Sequence, residues 1–227
     1  MTSLLPDAVL WDMDGTLVDT EPYWISAETD LVESFGRTWT YEDAMALVGA
    51  GLWDSAETLR AHGVDMSADA IVAHLTDTVM ARITAEGVPF RPVALELLTE
   101  LSAAGVPLAL VTMSVRSMAE HVVARMDGNP FAVLVTGEEV TKPKPHPDPY
   151  LRAAEILGVD VRRCVAIEDS RTGLAAAVAS GAVAIAVPHA VSIAEAEEHV
   201  VWPTLAGRSV DDVAAVFSER RIGEDAR

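Results

Sequence analysis

The strongest chemical signal in this chain is four acidic residues that come as two tight pairs. Asp12 and Asp14 flank Met13 and are followed at once by Gly15, while Glu168 and Asp169 are neighbours far down the chain. In an extended segment, residues two apart project to the same face, so Asp12 and Asp14 are expected to point the same way. One carboxylate can then attack as an anion while the other, kept protonated by its surroundings, donates to a leaving group. Carboxylates gathered in one place also repel: two unit charges 4 Å apart cost about 4 kcal/mol at an effective dielectric of 20. A hard divalent cation relieves that repulsion. An all-oxygen ligand set suits Mg²⁺, which typically takes one or two carboxylates together with water and substrate phosphate.

These acids can meet only if the elements between them form a common edge. Short apolar runs alternate with amphipathic stretches, which predicts an α/β fold with a parallel sheet and crossover helices. The expected strands are Ala8–Trp11, Pro107–Thr112, Ala132–Val135, Cys164–Ile167 and Ala182–Val187. The expected helices around them are Val93–Ala104, Val115–Met126, Pro147–Leu157, Gly173–Ser180 and Ile193–His199. Between about Pro22 and Gly87 only helical periodicity appears, over Pro22–Phe35, Tyr41–Val48, Trp53–His62 and Ser67–Glu86. The chain thus divides into an α/β unit, residues 1–20 and 88–227, and a helical insert, residues 21–87. The polar stretch Ser218–Arg227 is expected to fray.

Ligand sites of open parallel sheets lie outside the carboxyl ends of the strands. Reading those ends adds Thr112-Met113-Ser114 after the second strand to the two acidic pairs. The loop after the third strand contributes Lys142 and Lys144.

Composition narrows the partners. Sixteen Lys and Arg against 35 Asp and Glu leave a net charge of −19, and half the residues are hydrophobic, which excludes global disorder. So negative a chain is a poor match for nucleic acid or an anionic membrane. An anionic substrate would have to be met by a cation or a few placed basic side chains. Cys164 is the single cysteine, which excludes an intrachain disulfide and a cysteine-based zinc cluster. Residues 1–7 show no basic segment leading into a long apolar one, so no signal peptide is expected. The expectation is a cytoplasmic protein, monomeric, with a dimer left open.

Asp12-Met13-Asp14-Gly15-Thr16-Leu17-Val18-Asp19-Thr20-Glu21 resembles the first motif of the haloacid dehalogenase-like phosphohydrolase superfamily. Thr112 matches the Ser/Thr of its second motif and Lys144, better placed than Lys142, the Lys of its third. Glu168-Asp169-Ser170, with Gly173 after it, matches the acidic fourth motif. The resemblance spans roughly residues 7–190 and implies a Rossmann-like core with an inserted α-helical C1 cap. It further implies that Asp12 is the nucleophile of an aspartyl-phosphate and that Asp14 is the general acid and base. Thr112, Lys144, Ser114 and the Met113 N–H would bind phosphoryl oxygens. Mg²⁺ would be held by Asp12, the Asp14 carbonyl and Asp169, with Glu168 touching the ion or standing behind it.

The helical insert occupies the cap position, which makes Glu21, Trp24, Gly49 and Trp53 candidates for substrate selection. The dehalogenase branch usually lacks an acid at position 14, and the phosphonatases carry Ala there. The β-phosphoglucomutase branch places a His and an Arg where this chain has Trp24 and Leu52, a loss that argues for hydrolysis over mutation of a phosphosugar. The Asp19–Trp24 run is similar to sugar-phosphate phosphatases. The expected activity is Mg²⁺-dependent hydrolysis of small phosphate monoesters. A phosphosugar mutase and a catalytically idle binding module are the alternatives.

Overall fold

The computed structural model describes residues 4–225. Six parallel strands form one sheet: β1 Ala8–Trp11, β2 Leu108–Val111, β3 Val133–Val135, β4 Cys164–Glu168, β5 Val183–Ala186 and β6 His199–Val201, in the order β3-β2-β1-β4-β5-β6. The strands β1, β2, β4 and β5 are buried along their whole length, as their continuous Val, Leu, Ile and Ala runs require when both faces are covered. The order reverses around β1, whose neighbours are β2 on one side and β4 on the other. That places the ends of β1, β2 and β4 side by side at the crevice where doubly wound sheets take their ligands.

Four helices, α1 Glu21–Ser34, α2 Tyr41–Met45, α3 Leu52–Ala61 and α4 Ala68–Glu86, intervene between β1 and the rest of the sheet domain. Their boundaries follow local chemistry. Thr40 and Asp43 close a reciprocal capping box at the start of α2, and the Ser67 side chain accepts from the Ala70 N–H at the start of α4. The two strands of chain that join this helical unit to the sheet run beside each other. Asp19 N–H donates to the Pro89 carbonyl (2.8 Å) and Arg91 N–H to that of Leu17 (2.9 Å). The remaining helices are α5 Ala94–Ala103, α6 Arg116–Val123, α7 Asp148–Leu157, α8 Arg171–Ser180 and α9 Val210–Asp225. They flank the sheet and carry its connections.

Two expectations fail near the C-terminus. Ile193–His199 is not a helix: the segment is irregular and leads into β6, whose register pairs Ala184 with His199 and Ala186 with Val201. The Ala and Glu residues there favour a helix locally, but the β-branched pair Val200–Val201 finds a ladder along β5, and that pairing prevails. Ser218–Asp225, expected as a polar tail, is helical and belongs to α9, while Ala226 and Arg227 lie outside the described residues. Ser209 opens this helix by bonding with Asp212, and Val213, Ala214 and Phe217 bury one side of it.

Candidate active site

The end of β1 delivers Asp12 and Asp14 to the crevice, the end of β2 delivers Thr112 and Ser114, the end of β4 delivers Glu168 and Asp169, and the loop beyond β3 swings Lys144 beneath them. Lys144 organises this floor. Its Nζ donates to Asp12 Oδ1 (2.7 Å), to Glu168 Oε1 (2.6 Å) and to the Val111 carbonyl (2.9 Å), which engages all three of its hydrogens. Burial works against the ammonium, yet the charges of Asp12 and Glu168 overcome it and hold Lys144 above its ordinary value. Lys142, the sequence competitor, is exposed.

Glu168 has both oxygens committed. Oε1 accepts from Lys144 and from the Tyr150 hydroxyl (2.6 Å), while Oε2 accepts from the Ser170 hydroxyl (3.3 Å). Asp12 and Asp169 differ: each keeps its Oδ2 buried without a partner. Oxygens of Asp12, Glu168 and Asp169 all lie within 4.8 Å of one another. Burial, with the charge of Glu168 adding, pushes Asp12 up to about 8, and burial with Asp12 and Glu168 nearby raises Asp169 well above its usual range. Two orphaned buried carboxylate oxygens with no donor, in an all-oxygen cluster, are what a hard divalent cation fits. The chain makes room for this geometry at Gly15, where φ is +86° and a Cβ would lie 2.0 Å from Asp169 Oδ2.

Asp14 is held by four donors. Oδ1 accepts from Thr20 Oγ1 (2.6 Å) and from Trp24 Nε1 (3.3 Å), and Oδ2 accepts from Ser114 Oγ (2.7 Å) and Thr112 Oγ1 (3.3 Å). The side chain of Thr112 thus turns to Asp14 and also accepts the Ser114 N–H (3.0 Å). Arg91 braces the turn below by donating to the Gly15 carbonyl (2.5 Å).

The helical unit closes over this floor and leaves a cavity of about 110 Å³. Asp12, Asp14, Thr112, Met113, Ser114, Lys144 and Asp169 line its floor, and Glu21, Trp24 and Gly49 line its roof. Glu21 Oε2 is buried without a hydrogen bond, 3.9 Å from His189 Nε2, and burial pushes the Glu21 pKa up to about 7. Gly49 lies close against Ser170 of the sheet unit. Its φ is +78°, and a Cβ there would lie 2.9 Å from Ser170 Cβ.

Trp53 is a correction: it does not reach the cavity. It sits on α3 facing outward, 37% exposed, and its Nε1 donates to Asp69 Oδ1 (2.8 Å) at the start of α4. The chain turns after Gly51, so Leu52 faces the cavity and its neighbour faces away. Sequence reasoning also missed Tyr150, which orients Glu168, and Glu28, which lines the roof. Glu28 was legible in principle: it lies seven residues after Glu21 and four after Trp24, on one helical face, within the buried stripe Ala27, Leu31 and Val32.

A family model of haloacid dehalogenase-like hydrolases matches residues 6–181, the stretch that contains every side chain described here. The chain belongs to the haloacid dehalogenase-like hydrolases. Among curated members of this family, protein CbbY of Rhodobacter capsulatus is 32% identical over 80% of this chain and 85% of its own length. Hexitol phosphatase A of Escherichia coli (strain K12) is 33% identical over 78% of this chain and 81% of its own. The crystal structure of CbbY from Rhodobacter sphaeroides in complex with phosphate aligns with a TM-score of 0.81 at 27% identity, covering 89% of this chain and 96% of that one. The fold, a parallel α/β sheet with helices, is therefore the haloacid dehalogenase-like one.

Proposed function

We propose that this protein is a Mg²⁺-dependent phosphatase of small phosphate monoesters, sugar or polyol phosphates in particular, acting through phosphorylated Asp12. In this reading residues 21–87 are the cap and residues 1–20 with 88–227 the core. The observation that supports it most is the state of Asp12: Lys144 fixes one oxygen and nothing protein-derived satisfies the other.

An Asp12 carboxylate oxygen attacks phosphorus, and the bond from phosphorus to the leaving oxygen breaks as Asp14 transfers a proton to that oxygen. Asp14, now a carboxylate, takes a proton from a water whose oxygen attacks the phosphorus. The bond from Asp12 to phosphorus then breaks and inorganic phosphate leaves. Thr112, Ser114 and the Met113 N–H stand where the phosphoryl oxygens arrive. Asp12, Asp169 and the Asp14 carbonyl would hold Mg²⁺, with Glu168 behind them fixing Lys144. The ion supplies positive charge against the phosphoryl group and the acids. The enclosing cap excludes bulk water from the reacting groups.

No helix among the described residues is long and apolar enough to cross a membrane. A cytoplasmic location and a monomeric state belong to the proposal, and size-exclusion chromatography with light scattering checks the latter. The activity itself is tested by phosphate release from a panel of phosphorylated metabolites with Mg²⁺. Asp12→Asn should abolish release and EDTA should silence the wild type until Mg²⁺ is restored. Wild-type rates in Asp12→Asn, or activity that ignores EDTA, would refute the reading.

A further inference from the structure

Arg91 lies in the chain that returns from the helical unit to the sheet; it is half-buried and does not line the cavity. Its side-chain Nη1 reaches two carbonyls, those of Gly15 (2.5 Å), just after Asp14, and of Val187 (3.1 Å), just after β5. The Val187 N–H in turn donates to the Glu168 carbonyl (2.7 Å). One guanidinium therefore joins the turn that carries Asp12 and Asp14 to the segment that backs Glu168 and Asp169. Burial draws Arg91 below its ordinary pKa, while the charges of Asp169, Glu21 and Asp19 work the other way.

Gly15 is the residue this contact controls. Its N–H donates to the Val18 carbonyl (2.7 Å) and its own carbonyl accepts from Arg91, so the peptide groups on both sides of it are fixed. Its φ of +86° is a left-handed conformation that glycine adopts without steric cost. Asp169 Oδ2, one of the two orphaned oxygens, lies 2.0 Å from where a Cβ would stand. A rotation at Gly15 would thus move the Asp14 carbonyl and disturb the seat of Asp169 together. Two residues beyond Arg91, Val93 is held at φ +68°, where a β-branched side chain is strained. Such a conformation persists where the surroundings pin the chain. Here the Arg91 carbonyl accepts from the Ala94 N–H (3.2 Å) at the start of α5, while its side chain is fixed at Gly15.

We propose that Arg91 is a positioning residue that sets the spacing between the two acidic pairs, and with it the fit of the divalent cation. This rests on the Mg²⁺-dependent reading above. Groups that orient metal ligands from behind typically govern affinity by about 10- to 100-fold. The charge of Arg91 alone would act in the opposite direction, because a fixed cation beside an acidic cluster repels a second one. The two roles therefore differ in sign.

The experiment titrates Mn²⁺, which shares the oxygen-ligand preference of Mg²⁺, into the metal-free full chain without substrate. Free Mn²⁺ is read by electron paramagnetic resonance for the wild type, Arg91→Met and Arg91→Lys. Arg91→Met should weaken binding by about 10-fold or more. Arg91→Lys, which keeps the charge but not the planar guanidinium, should weaken it by a smaller factor. The Mg²⁺ concentration for half-maximal phosphate release should rise in parallel. Unchanged or tighter Mn²⁺ binding in Arg91→Met would overturn the assignment while leaving the phosphatase standing. So would a lower kcat with the metal requirement unmoved, the mark of a merely structural contact. If Arg91→Met fails to fold, judged by circular dichroism, Arg91→Lys decides on the same terms. A wild type that takes up no Mn²⁺ would instead overturn the metal-dependent reading, and this inference with it.

Discussion

The floor and the roof of the cavity are built by opposite rules. Around the ends of β1, β2 and β4 the polar groups interlock: Lys144 bonds three acceptors, Asp14 takes four donors and Glu168 takes partners on both oxygens, while Asp12 and Asp169 each keep one Oδ2 without a hydrogen-bond partner. In the roof, hydrocarbon from four helices surrounds two acids, Glu21 and Glu28. The contrast separates two tasks. A dense polar network holds reacting groups at set distances and resists substitution. A mostly apolar surface with one or two polar groups can change its preference for substrates without disturbing the chemistry beneath.

Stability measurements break or sharpen this comparison. The largest effect is expected in the floor. Lys144→Met leaves Asp12 and Glu168 buried beside each other without their shared cation, and should lower the stability of the metal-free protein by about 3–5 kcal/mol in urea denaturation. A loss no greater than that of a surface substitution would show that the network is not interlocked.

A smaller effect, dependent on pH, is expected in the roof. The pKa of Glu28 is raised on folding from 4.5 to about 7. The folded state therefore binds the proton more tightly than the unfolded one. Its contribution to stability is complete below pH 4.5 and is lost as the pH rises through 7. Glu28→Gln, which cannot ionise, should gain about 1–3 kcal/mol over the wild type between pH 4.5 and 8. A difference that does not vary with pH would mean that Glu28 is not desolvated in the folded protein.

The smallest effect lies outside both regions. Trp53→Phe removes one exposed hydrogen bond to Asp69 and should change stability by less than about 0.5 kcal/mol and kcat/KM by less than twofold. A larger change in kcat/KM would return Trp53 to the substrate site.

What could be read from the amino acids alone follows the same division. The five strands through β5 and the acids at the ends of β1 and β4 were legible, because continuous apolar runs mark the doubly covered strands and Asp12, Asp14, Glu168 and Asp169 stand where two of those runs stop. Lys144 was separable from Lys142 only through the family motif, since nothing local distinguishes the two. The edge strand β6 and helix α9 were hidden by composition. Glu195, Glu197 and Glu198 imitate a helix ahead of a short edge strand, and the charged C-terminal sequence conceals the spacing of Val213 and Phe217. In the roof, the place of Trp24 in the insert just after the first motif brought it out, but not which way Trp53 turned, because that depends on where α3 begins after Gly51. Glu28 escaped notice because an acid on a helix reads as solvent-facing until its neighbours are known to be buried.

The central claim is that Asp12 becomes phosphorylated. It is tested most directly by mixing the wild-type enzyme and Mg²⁺ with a ³²P-labelled sugar phosphate, quenching in acid within the first turnover, and mapping the labelled peptide. The account predicts acid-stable, base-labile label on the peptide containing Asp12, and none in Asp12→Asn. Phosphate released with the protein unlabelled in Asp14→Asn, whose second step should stall, or label on any other residue, would contradict it.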